Sequence, residues 1–241
     1  MIWILYLMIY SVMTREAFIK KLKREDYSYE IEGDKIVVTY GGNVDLRSLT
    51  SLPPGVEFEN RGDVDLRSLT SISPGVEFRN RGVVLLNALT SIPPGVEFRN
   101  KGSVHLTSLT SLPPGVVFEN GWGVDLSSLT SLPPGVEFKN GGVVDLESLT
   151  SLPPGVEFRN RGSVDLRSLT SLPPGVVFNN EDNVILNDLT SISSGVVFEN
   201  GGDVHLKALR GDWFSKWKGN IEGIDSKRLL NFMISKGIFE R

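Results

Sequence analysis

From Val44 to Asn200, apolar residues return at the same places in every block of 20. In the block that opens at Gly62, Val64 and Leu66 alternate with Asp65 and Arg67, the period of a strand with one buried face. Leu69 and Ile72 follow at a spacing of three around Thr70 and Ser71, which reads as a bend that keeps its apolar groups inward. Pro74 and Gly75 suit the two central positions of a type II turn, because proline presets φ and glycine supplies a positive φ. Val76 and Phe78 then alternate with Glu77 and Arg79 as a second strand, and Asn80, Arg81 and Gly82 turn the chain back.

Eight full blocks run from Gly41 to Asn200, and a ninth begins at Gly201. Self-similarity at one short period is the signature of a solenoid, in which each unit stacks on its copy. A single rung sends about six apolar side chains inward and cannot bury them alone, whereas a stack can. The expected fold is a mainly β repeat solenoid of about nine rungs with parallel sheets, rising about 4.8 Å per rung.

Residues common to every block serve the stack. The turn glycine is kept in all eight blocks: Gly55, Gly75, Gly95, Gly115, Gly135, Gly155, Gly175 and Gly195. Proline is lost before it in the eighth, Ser193-Ser194-Gly195, so backbone conformation is the stricter demand. An asparagine stands two residues after each strand Phe and points inward by parity: Asn60, Asn80, Asn100, Asn120, Asn140, Asn160, Asn180 and Asn200. The expected role is an amide ladder from rung to rung that satisfies buried corner carbonyls. Thr50-Ser51 and its copies are placed to do the same at the opposite corner.

The ends do not repeat. Residues 13–40 read as an N-terminal cap: a helix over about 14–25 with Thr14 as N-cap, then a hairpin over about 27–40. The solenoid spans 41–210. Residues 211–241 read as a C-terminal helical cap, with a helix over about 226–236 that buries Leu229, Leu230, Met233 and Ile234. Residues 1–12 are nearly all apolar but would span only about 18 Å as a helix, short of a bilayer core. They are read as an upstream extension before a true start at Met13, which would favour the cytoplasm. A membrane anchor and an apolar arm for a partner stay open as alternatives.

The motif "VDLRSLTSLPPGV" resembles the leucine-rich repeat, whose pattern places a strand, a turn and a Pro-led return. It is especially similar to short bacterial and phage-type units of the form "LTSLPEGL". The block departs from that family in three ways: it is shorter, it lacks the asparagine after the first strand, and its return carries the strand-like "VEF". A curved horseshoe and a straight two-sheet solenoid are both open. The resemblance implies recognition of a protein or ligand and no catalysis.

Net charge is −4, from 25 Lys and Arg against 29 Asp and Glu, which disfavours a nucleic-acid partner. There is no cysteine, so thiolate chemistry is excluded. No phosphate loop, dinucleotide fingerprint, zinc spacing or nucleophile motif is present, and no cofactor is expected. The residue between Val and Leu of the first strand forms an outward column: Asp45, Asp65, Leu85, His105, Asp125, Asp145, Asp165, Ile185 and His205. Stacked carboxylates are the geometry of a glycosidase pair or a cation site, but Arg47, Arg67 and Arg167 alongside favour a charge ladder. His105 and His205 are five rungs apart and cannot share a metal ion. Arg61, Arg79, Arg81, Arg99 and Lys101 cluster at one edge, interleaved with glutamates.

Departures from the block are the better leads to function. Val83 and Leu85 face outward by parity, Val117, Val177 and Val197 replace an outward glutamate, and Trp122 stands alone at a corner. Trp213 and Trp217 belong to the C-terminal cap as a plug or an exposed hook. The expected function is a non-enzymatic interaction or scaffold module, monomeric, with another protein as partner. A structural part of a larger assembly, such as a viral particle or surface layer, is the alternative, and a carbohydrate-active enzyme on the Asp column the remote one.

Overall fold

The computed structural model describes residues 13–208 together with Asn231 and Ile234. The chain opens with helix α1 (Arg15–Arg24). Thr14 accepts the Ala17 N–H at 3.2 Å as its N-cap, and Lys21, Lys23 and Arg24 occupy its last turn, where cations suit the helix dipole. Phe18 and Leu22 are its buried face.

Strands β1 (Tyr29–Glu32) and β2 (Lys35–Val38) follow as an antiparallel hairpin turned at Gly33, φ 59°. The hairpin is more than a lid. Strand β2 lies parallel to β4 (Val56–Phe58), with Ile36 opposite Val56 and Val38 opposite Phe58. Its inward pattern therefore sits one period before the first block, and it serves as the first strand of the stack.

From Gly41 the chain winds in complete turns that we number as rungs, from rung one (41–60) to rung eight (181–200). Each rung contributes a short strand to each of two parallel sheets. One sheet begins at β3 (Val44–Asp45), has nine strands and ends at Val204–His205. We call it the Asp sheet. The other has ten strands, runs from β1 through β2 and β4, and ends at Val197–Phe198. We call it the Phe sheet. Equivalent residues pair one block apart, as Val124 with Val144 and Phe178 with Phe198. A third, shorter ladder joins some of the Ser residues after the bend. The fold is a parallel-sheet β-solenoid of about eight turns. Ladder bonds tie successive rungs on both sheets.

The core is continuous along the axis. In rung two Val64, Leu66, Leu69, Ile72, Val76 and Phe78 are all buried, and the other rungs repeat the set. The eight Phe rings form one column, with centroids 5.0–5.6 Å apart and planes within 15° of parallel. A six-group set of this kind buries enough apolar surface for a rung to hold only when both neighbours are present.

Side chains fasten the Phe sheet at both ends. Lys35 on β2 reaches Glu57 at 3.0 Å and Glu77 at 2.7 Å, and Arg79 pairs with both glutamates, which ties the hairpin to rungs one and two. At the far end Asn231, in helical backbone, accepts the Phe198 N–H and donates to the Phe198 carbonyl, both at 2.9 Å. Its amide takes the place of the next strand. Ile234 is buried against the same core. The rest of the expected C-terminal cap, including Trp213 and Trp217, and the apolar extension 1–12 lie outside the described residues.

Candidate functional site

The turn glycines all have positive φ, from 71° to 82°. That is the left-handed region, which an L side chain enters only with strain.

The asparagine column departs from a ladder of amides. Each Nδ2 donates to backbone carbonyls at the corner and not to the next amide. Asn100 reaches the Gly102 carbonyl of its own rung at 3.0 Å, Ser103 at 3.2 Å and Gly82 of the rung before at 3.1 Å. The rungs are linked because each corner carbonyl takes donors from two asparagines: the Gly102 oxygen also accepts from Asn120 at 3.3 Å. From Asn60 to Asn180 the buried Oδ1 has no hydrogen-bond partner. Over that range these side chains act as donors only.

The Asp column is less solvated than its outward parity suggests. Asp65 is only 8% exposed and Asp165 6%, because arginines lie over them. Arg67 holds Asp65 at 2.8 Å, Arg47 bridges Asp45 at 2.8 Å and Asp65 at 3.6 Å, and Arg167 clamps Asp165. The middle of the column has no arginine. There the His105 imidazole lies 3.8 Å from Asp125, and its proximity, with the Ser127 N–H that Asp125 accepts at 3.1 Å, holds the Asp125 carboxyl below the usual range. Burial pushes the Asp145 carboxyl up, helped by Asp125, Glu147 and Asp165, while the Glu147 N–H opposes the shift. Among the described residues no three carboxylate or imidazole groups converge to hold a metal ion. His205 is exposed at the end of the column.

The outward glutamates and basic residues of the Phe sheet pair with each other. Arg99 spans Glu97 and Glu119, both at 3.1 Å, and Arg159 meets Glu157 at 2.6 Å. Arg79 and Arg99 are thus drawn out of the basic cluster expected at this edge. Val117, Val177 and Val197 are half-buried: Val177 and Val197 are register partners on adjacent rungs, and Val117 lies three rungs before Val177. Val83 and Leu85 are likewise half-buried.

The corner between the two sheets holds two departures from its usual glycine. Gly62, Gly82, Gly102, Gly142, Gly162 and Gly202 occupy the same place in their rungs, and Trp122 and Asp182 replace them. The rungs approach closely here: a Cβ on Gly102 or Gly162 would lie 2.4 Å from the carbonyl carbon of the preceding corner residue. Gly82, Gly102, Gly142, Gly162 and Gly202 each donate to the preceding corner carbonyl at 3.2 Å, and Gly62, Trp122 and Asp182 make no such bond. Glycines on both sides, Gly121 and Gly123, let the backbone carry the indole outward. Trp122 is 68% exposed, and Val143 on the next rung is 46% exposed.

Val143 was not singled out from the sequence, although a signal was present. Its column holds Asn43, Asp63 and Asn183, whose side chains accept the N–H of the next rung at 2.7–2.8 Å. Valine cannot do this, so the polar ladder is interrupted at Val143, as it also is at Val83 and Gly123 of the same column. No family model, curated protein or solved structure matches this chain, and its function is therefore argued from this geometry.

Proposed function

We propose that this chain is a non-enzymatic interaction module that engages a partner protein through the corner bearing Trp122 and Val143. The observation that carries this reading is the place of Trp122. A large apolar side chain stands in solvent where the stack otherwise uses glycine, and it forgoes the corner hydrogen bond that five glycines make. Most of the indole lies in solvent, whereas a partner would bury it, and tryptophan is among the side chains enriched in interface hot spots. Val143 extends the apolar contact along the axis, and the paired charges of the two sheets give it a polar surround. The likeness of the block to short leucine-rich repeats, with its implied role in recognition, supports the same reading.

The test uses the full chain immobilised in extract of its native source. Wild type is expected to retain a defined partner, Trp122→Gly to lose it, and Asp145→Asn to keep it. Equal retention by wild type and Trp122→Gly, or no specific retention by wild type, overturns the assignment.

A further inference from the structure

Successive rungs are not joined in the same way. On the arc that carries Thr and Ser, Thr70, Thr110, Thr150 and Thr190 each donate their N–H to the threonine carbonyl one rung earlier, at 2.9–3.0 Å. The Ser bridges occur at the same steps: one to two, three to four, five to six and seven to eight. Thr90, Thr130 and Thr170 make no such backbone bond.

On the Pro-Gly arc the order is reversed. Glu97, Glu137 and Val177 donate to Val76, Val116 and Val156 at 3.2, 2.9 and 2.9 Å, which closes steps two to three, four to five and six to seven. Gly115 and Gly155 add bonds to Pro134 and Pro174 at 3.3 and 3.1 Å in two of those same steps. At steps three to four and five to six the pairing shrinks to Phe98 with Phe118 and Phe138 with Phe158. Val117 and Glu157 then find no carbonyl across the gap. Clefts of about 180 Å³ and 300 Å³ open at these two steps, lined by the Pro-Gly turns and by Val96, Val116, Val136 and Val156. Those four valines are 5–7% exposed, against 0% for Val56, Val76 and Val176.

The end steps supply the control. Rungs two and eight carry Ser73 and Ser193 where rungs three to seven carry proline. Ser73 Oγ donates to the Leu52 carbonyl at 2.8 Å, and Ser193 N–H to Leu172 at 3.0 Å. These two steps are closed on both arcs: Glu57 pairs with Glu77, and Val197 donates to Val176 at 2.9 Å. Proline has no N–H, so in the interior the carbonyl before it lacks its rung-to-rung donor.

We infer that the Pro-Pro-Gly edge is a compliant edge with a period of two rungs: each interior step closes on one arc only, because proline removes the donor that would let both arcs close together. The openings at steps three to four and five to six are places where the solenoid can bend or widen without breaking its Phe column.

Residue-resolved amide exchange by NMR on the full chain tests this. Protection factors at Glu97, Glu137 and Val177 are expected to exceed those at Val117 and Glu157 by about tenfold or more. The arc opposite should show the inverse: Thr110 and Thr150 protected above Thr90, Thr130 and Thr170. Pro113→Ser with Pro153→Ser should raise protection at Val117 and Glu157 to the level of Glu97. Val117 and Glu157 within about threefold of Glu97 and Glu137 in the wild type overturns the inference, as does a folded double variant in which both stay fast. If the double variant does not fold, the wild-type pattern alone decides.

Discussion

Replacing Asn100 by aspartate tests the corner chemistry at one atom. The side chain is fully buried, and its Nδ2 lies 3.0–3.2 Å from the carbonyls of Gly102, Ser103 and Gly82. Each of these oxygens keeps another donor: Asn120 for Gly102, Val84 N–H for Ser103, and Asn80 for Gly82. Asn100→Ala therefore orphans no carbonyl. It loses two N–H donors worth about 0.5–1.5 kcal/mol each, offset in part by removal of the unpartnered Oδ1, so the cost is below about 3 kcal/mol. Asn100→Asp has nearly the same shape but sets a carboxylate oxygen against three carbonyl oxygens and buries an unpaired charge, adding several kcal/mol. A loss of at least about 4 kcal/mol is expected at pH 7 by urea unfolding followed by circular dichroism. The introduced carboxyl has a raised pKa in the folded state, so that state binds its proton more tightly than the unfolded chain does. The deficit should shrink as pH falls through that raised value. An Asp variant within about 1 kcal/mol of wild type at pH 7 would refute the donor role.

Three further outcomes are expected. Asp145→Asn should stabilise the protein by about 0.2–1 kcal/mol at pH 7, since it removes a like charge from the column while its Oδ1 still accepts the Glu147 N–H. Because the Asp145 pKa is raised in the folded state, acid stabilises wild type at this site, and the advantage should fade as Asp145 protonates in the wild type; thermal melts across pH 3–7 read this out. Phe118→Ala should cost about 3–5 kcal/mol, because it cuts the ring column between Phe98 and Phe138, and chemical denaturation measures it. Asn231→Ala should cost about 1–3 kcal/mol and speed amide exchange at Phe198, whose N–H and carbonyl both rely on it.

Much of the stack was legible because one period carries it. Val64, Leu66, Val76 and Phe78 alternate with polar neighbours, and the positions that parity places inward are buried. Parity failed where a long side chain folds back: Asp65 and Asp165 face outward, yet Arg67 and Arg167 cover them. In sequence the hairpin reads as a cap because Ile36 and Val38 stand outside the repeated motif, although they precede Val56 and Phe58 by one period. The alternation between the Thr-Ser and Pro-Gly arcs was not legible block by block. It arises from coupling between neighbouring rungs, and only Ser73 and Ser193 mark it in the sequence. Trp122 was found as a departure from the block, but its significance needs the corner distances that make glycine the resident there.

The stability of Trp122→Gly measures most directly whether this residue serves the stack or something outside it. Glycine restores the residue type of the neighbouring corners and their 3.2 Å bond, against a chain-entropy cost of about 0.5–1 kcal/mol. The unfolding free energy of the variant is expected to lie within about 1 kcal/mol of wild type, as for an exposed side chain that the fold does not need. A larger loss would make Trp122 a structural residue of the solenoid and contradict its assignment as a contact site.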